Sequence, residues 1–380
     1  MPKETVIRIA LLVLWLLPGV AAAGGKVFAA AEGTDNVVVL DAATNTVLTT
    51  IGTGASSMPH NPIRSPDRKY VYVTLKGTGE VAKIDVNTYA VTRFSTGSGT
   101  PNPVHLDVSG DGNWLYVVNQ LDDTVVKMST ADGSIVASYT FTPTINFKPH
   151  DVNIGPDGKL WVTDEYANTV TVLEGDLSGV FTPSTGSGTI AVGSRPIQVA
   201  FSVDGATAYV TNFNDNTVSV IDVANYGPGS PASFDMGGGG AMGPMGVVAD
   251  PDGSRLWLTG TQGNTVHAHS LLPGDNYSYI EVNGLIAAHG LDIDDAGDYL
   301  YTTVKASATS AGRDAIAIID TNTLAVTTVS TTGLAGLADA EDLHGVVYVS
   351  AVPLPAAAWL FLSGLAGLLW AGGTRKKPAA

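Results

Sequence analysis

Seven short apolar runs recur along the chain: VFAAA, VYVTL, LYVVN, LWVTD, AYVTN, LWLTG and LYTTV. Each carries one aromatic residue, namely Phe28, Tyr72, Tyr116, Trp161, Tyr209, Trp257 and Tyr301, at spacings of 44, 44, 45, 48, 48 and 44 residues. A second apolar position follows nine residues later, at Val37, Val81, Val125, Val170, Val218 and Val266. In the seventh unit its counterpart is Ile316, so the loop at 305–313 is longer there. Stretches such as IRSPDRKYVY, DVSGDGNWLY and ADPDGSRLW precede the aromatics and read as strand, tight turn, strand. Glycine after aspartate suits such a turn because it takes positive φ without a steric penalty. Each unit therefore predicts four strands: an inner one, the aromatic one, a third carrying the later valine, and an outer one. Four short strands repeated every 44–48 residues predict propeller blades.

The closure is also predicted. The first unit begins at its aromatic strand and lacks an inner one, whereas Leu343–Val349 at the other end matches the inner strand Pro244–Val248. The pattern predicts an all-β, seven-bladed propeller of four-stranded blades, closed by a C-terminal inner strand joining three N-terminal strands. Such a seam leaves no open strand edge. The repeats resemble the YVTN family of β-propellers over residues 27–350, and that motif stands at Tyr209-Val210-Thr211-Asn212. The resemblance implies the fold and leaves function open, because one fold hosts many sites.

Both chain ends read as export elements. Lys3 and Arg8 precede an apolar run from Ile9 to Leu17, then Pro18 and Ala21-Ala22-Ala23, the three parts of a secretory signal over 1–23. The propeller occupies 24–351. At 352–380, Val352-Pro353-Leu354-Pro355-Ala356 is followed by an uncharged stretch to Gly373 and by Arg375, Lys376 and Lys377. That order resembles the VPLPA variant of PEP-CTERM sorting signals. The resemblance implies a transmembrane helix with a cytoplasmic basic end, processing by an exosortase-type enzyme, and a Gram-negative envelope, surface or matrix location.

The chain has no cysteine, which excludes disulfides, thiolate metal sites and a Cys-x-x-Cys-His haem attachment. Removing both ends takes away five basic residues and one acidic residue, leaving 14 against 34. So acidic a surface repels nucleic acid, and a monomer is expected.

The inner-strand position seven residues before the turn aspartate holds His60, Val104, His150, Ile197, Met245 and His289, with Ala296 aligned to the turn in the sixth case. His344 takes the seventh place, and His105 adjoins Val104. Equivalent positions on blades related by pseudo-rotation share one height on the axis. His60, His289 and His344, with His150 facing them, could thus hold a transition metal such as Zn, Cu or Fe. Asp151, Glu341 and Asp342 are candidate supporting carboxylates. The alternative is that these imidazoles simply hydrogen-bond between blades. His267 and His269 share one face of a strand, expected to be solvated. Asp292, Asp294, Asp295 and Asp298 read as an acidic turn, and no phosphate loop or nucleophile elbow is present. Two functions follow: a binding or scaffold propeller presenting its mouth to a glycan, protein or small ligand, or a metal-dependent enzyme using the histidines.

Overall fold

The computed structural model describes residues 25–351 except 98, 100, 142–146, 181–187, 227–230, 239, 306–313 and 334–341. The proposed signal, the sorting tail, Glu341 and most of the long seventh-unit loop lie outside the described residues. Gly25–Ser350 form one contact unit. Among the described residues, no helix is long and apolar enough to cross a membrane.

Seven four-stranded antiparallel sheets follow one another along the chain. Blade 1 is the composite one: its inner strand Leu343–Val349 pairs with Lys26–Ala31, placing Phe28 opposite Val347. The other six inner strands are Pro59–Arg64, Pro103–Val108, Pro149–Ile154, Pro196–Phe201, Pro244–Ala249 and Leu291–Ile293. Each inner strand touches the next around the ring. The seven repeated aromatics are all buried, from 0% exposed at Phe28, Trp161 and Trp257 to 5% at Tyr116 and Tyr209. They fill the spaces between blades; Phe28 of blade 1, for example, packs with Val71 and Val73 of blade 2. The expected seven blades and the expected seam are therefore both present.

Five inner strands open in the same irregular way. After the first proline the register slips, between Pro59 and Pro62, Pro103 and Leu106, Pro149 and Val152, Pro196 and Val199, and Pro244 and Val247. In five blades a threonine two residues after the aromatic sits at the start of the inner strand. The Thr211 hydroxyl accepts from Gln198 N–H and donates to the Met245 carbonyl of the next blade. Thr74, Thr163, Thr259 and Thr303 reach the carbonyls of Val104, Ile197, His289 and His344 in the same manner. The threonine of the recurring motif thus ties the start of one inner strand to the next.

Glycine supplies the closeness. A Cβ on Gly290 would stand 2.4 Å from the His344 carbonyl, and one on Gly345 would stand 2.8 Å from the His60 carbonyl. The residues after His289 and His344 must be small for neighbouring inner strands to touch.

Candidate metal centre

The inner-strand starts bring five imidazoles into one arc. Ring centroids lie 4.5 Å apart for His289–His344, 4.5 Å for His344–His60, 5.8 Å for His60–His105 and 4.7 Å for His105–His150. The five come from consecutive blades, 7, 1, 2, 3 and 4. The structure thus brings the four sequence-predicted histidines to one end of the channel. It adds His105, which bridges His60 and His150. Counting from the turn put Val104 at this level instead. Val104 packs into the core between blades while the next residue joins the cluster; the slipped register at the strand start gives both positions room to turn.

Sequence reasoning also missed Glu32. Its carboxylate is 8% exposed and accepts from His60 Nδ1 at 2.9 Å, with His344 Nε2 at 3.2 Å and Lys76 Nζ at 2.9 Å. A signal for it exists in the repeats. The residue four after each aromatic is Glu32, Lys76, Gln120, Glu165, Phe213, Thr261 or Lys305. Five of these seven touch one another or the cluster. Gln120 donates to Glu165 at 3.1 Å, and Lys305 Nζ stands 3.0 Å from His344 Nε2. Glu165 further receives Lys148 at 3.1 Å and Arg195 at 2.9 Å, and lies 4.0 Å from His150 Nε2. A second ring of polar side chains therefore backs the histidine arc.

Hydrogen bonding decides which nitrogens are free. Nδ1 of His60 faces Glu32, Nδ1 of His105 faces Asp151 at 3.0 Å, and Nδ1 of His150 faces the Ile197 carbonyl at 3.2 Å. Carboxylates and carbonyls only accept, so each Nδ1 carries the proton and each Nε2 keeps its lone pair. Asp151 is itself fixed by Asn153 and by the Val199 N–H. Burial holds His60 and His289 well below the usual imidazole range, helped by His344 beside both, and pushes His150 down to about 4. These three rings are neutral at neutral pH, the form that ligates metal.

One ring nitrogen each of His60, His105 and His150 lies within 4.8 Å of the others. Donors around tetrahedral zinc at about 2.0–2.1 Å sit about 3.4 Å apart, so small rotations close the set. Glu32, His60 and His344 form a second such group. There, two ammonium groups, Lys76 and Lys305, already occupy the neighbourhood of the donors. Their repulsion disfavours a cation in that group. A cavity of about 30 Å³ lined by His60, His105, His289 and Gln198 adjoins the arc, enough for one or two waters. It continues into an axial channel of about 380 Å³ whose wall comes from all seven inner strands.

The other histidine pair behaves differently. His267 and His269 lie on one face as expected, with rings 5.9 Å apart, but both are 0% exposed rather than solvated. They are covered by Tyr279, Phe234 and Tyr277, and they bond the Met236 and Tyr277 carbonyls. In the acidic turn, Asp294 accepts turn N–H groups, while Asp292 and Asp295 pair with Arg64 and Arg68.

A family model described as Lactonase, 7-bladed beta-propeller matches residues 19–179. The chain is similar to that family over less than half its length. No curated protein matches it in sequence. Among solved structures, a functionally unknown protein from Desulfotomaculum acetoxidans superposes with a TM-score of 0.68 at 16% identity, covering 87% of this chain and 100% of that one. A putative 6-phosphogluconolactonase from Bacteroides fragilis gives 0.68 at 16%, covering 88% and 100%. Virginiamycin B lyase from Staphylococcus aureus gives 0.62 at 17%, covering 78% and 93%. At these identities the likeness shows the fold alone.

Proposed function

We propose that this chain is an exported YVTN-type propeller that holds one divalent transition metal ion at the channel mouth through Nε2 of His60, His105 and His150. One observation carries the reading. All three rings present the same free nitrogen, and each has its other nitrogen held by an acceptor, the arrangement that orients imidazoles toward metal. Three protein donors and an adjoining water-sized cavity leave an open position. A metal held there would polarise a carbonyl or activate a bound water. That chemistry makes a metal-dependent enzyme the better reading than a passive scaffold, and the partial match to a lactonase model fits attack on an ester carbonyl.

The test is metal uptake. The purified propeller should bind one equivalent of Zn²⁺ or Co²⁺, and His105→Ala should lower the affinity at least about a hundredfold with unchanged circular dichroism. Asp151→Asn should cost about 10–100-fold by releasing His105. A propeller that takes up neither metal leaves a binding or scaffold role presented by the mouth loops. Export has its own measurement. Intact mass of protein from an exosortase-bearing host should show residues 1–23 and the segment after Val352–Ala356 removed; retention of Arg375–Lys377 would leave a plain membrane anchor.

A further inference from the structure

Among the described residues, the charges touching the cluster balance without any metal. Four carboxylates contact the imidazoles: Glu32 on His60 and His344, Asp151 on His105, Glu165 near His150, and Asp342 at 3.6 Å from His344. Four cations contact these groups in turn: Lys76 on Glu32, Lys148 and Arg195 on Glu165, and Lys305 on Asp342 at 2.7 Å. Neutral imidazoles bring no charge to a bound dication. Metal binding therefore adds two positive charges that this network does not offset, in a setting where unbalanced charge is costly.

The two signs are also unequally exposed. Side chains of Lys76, Lys148, Arg195 and Lys305 are 21, 27, 37 and 26% exposed, whereas those of Glu32, Asp151 and Glu165 are 8, 4 and 2%; Asp342, paired with Lys305, is the exposed carboxylate at 48%. Over the part of the mouth formed by Glu32, Asp151 and Glu165, a molecule approaching from solvent meets Lys76, Lys148 and Arg195 before the carboxylates, although the chain as a whole carries a formal charge of −16. Beside Lys76 opens a cleft of about 310 Å³ lined by Gly77, Gly79, Pro101, Asn102 and Leu121, room for the uncharged body of a ligand.

We infer that the mouth takes a small oxyanionic ligand, a carboxylate or a phosphate, whose oxygen completes the metal's coordination and whose remaining charge faces these cations. The inference rests on the metal reading above, and the experiment separates the two. The propeller is loaded with Co²⁺ at neutral pH, and uptake is measured before any anion is added. Acetate and inorganic phosphate are then titrated separately while the visible Co²⁺ spectrum is followed. A saturable spectral change with one or both is expected, and the more effective anion identifies the oxyanion chemistry. Lys148→Gln and Lys305→Gln should each weaken that anion about three- to tenfold without weakening Co²⁺. Loaded protein whose spectrum neither anion alters overturns the oxyanion inference and leaves the metal site standing. Anion affinity unchanged in both variants overturns the part assigned to the cations. Failure to take up Co²⁺ removes both readings together.

Discussion

A histidine in this protein is defined by what its second nitrogen touches. His60, His105 and His150 donate Nδ1–H to Glu32, Asp151 and a carbonyl, and so keep Nε2 for a ligand. His269 donates Nδ1–H to Tyr277 but buries Nε2 against aromatic rings, with no hydrogen-bond partner for it. Burial pushes its pKa down to about 4. The sign follows from linkage. The unfolded chain takes up a proton below about pH 6.5 and the folded ring does not, so this residue's stabilisation is complete above that pH and declines as pH falls toward 4. Replacing His269 with Phe removes the titration while preserving the stack on Phe234. The parent should lose about 2 kcal/mol more than the variant between pH 7 and pH 5, read as urea midpoints at both pH values. Equal losses would mean that His269 ionises freely in the folded state.

At the scale of the element, the informative unit is the irregular start of each inner strand. A strict alternation would send neighbouring residues to opposite sides, but the slipped register lets Val104 face the core and His105 the cluster. The threonine bridge stabilises that geometry by satisfying an N–H on one blade and a carbonyl on the next. Blade 3 carries Val118 at this position. Thr211→Val keeps the shape and leaves Gln198 N–H and the Met245 carbonyl short of a buried partner. It should cost about 2–3 kcal/mol, seen as a lower urea midpoint with an unchanged slope. A midpoint within error of the parent would mean that water reaches the vacated groups.

For the whole propeller, stability depends on closing the ring. Leu343–Val349 completes blade 1, and Arg64 of blade 2 bonds the Tyr348 carbonyl at 2.9 Å while pairing with Asp292 of blade 7. A chain ending at Asp342 would expose the edge of Lys26–Ala31 and the apolar faces of two blades. It should lose its near-ultraviolet dichroism and bind a hydrophobic dye; a truncated chain that unfolds at the parent's urea midpoint would show that the ring holds without its seam. The blade count and this seam were legible in the sequence because strand alternation and turn residues are local and recur seven times. His60, His150, His289 and His344 were legible as residues at one height for the same reason. His105 and Glu32 were not, although Glu32 occupies a repeated position four residues after Phe28. Whether a side chain at such a position turns to the cluster depends on the slipped strand starts, on the glycine-sized approach of neighbouring inner strands, and on ring closure, which brings residue 32 to residue 344. The sequence by itself determined the periodic scaffold, since that follows from contacts between near neighbours in the chain. Only the tertiary structure decided the site, because its donors and their partners meet across separate blades.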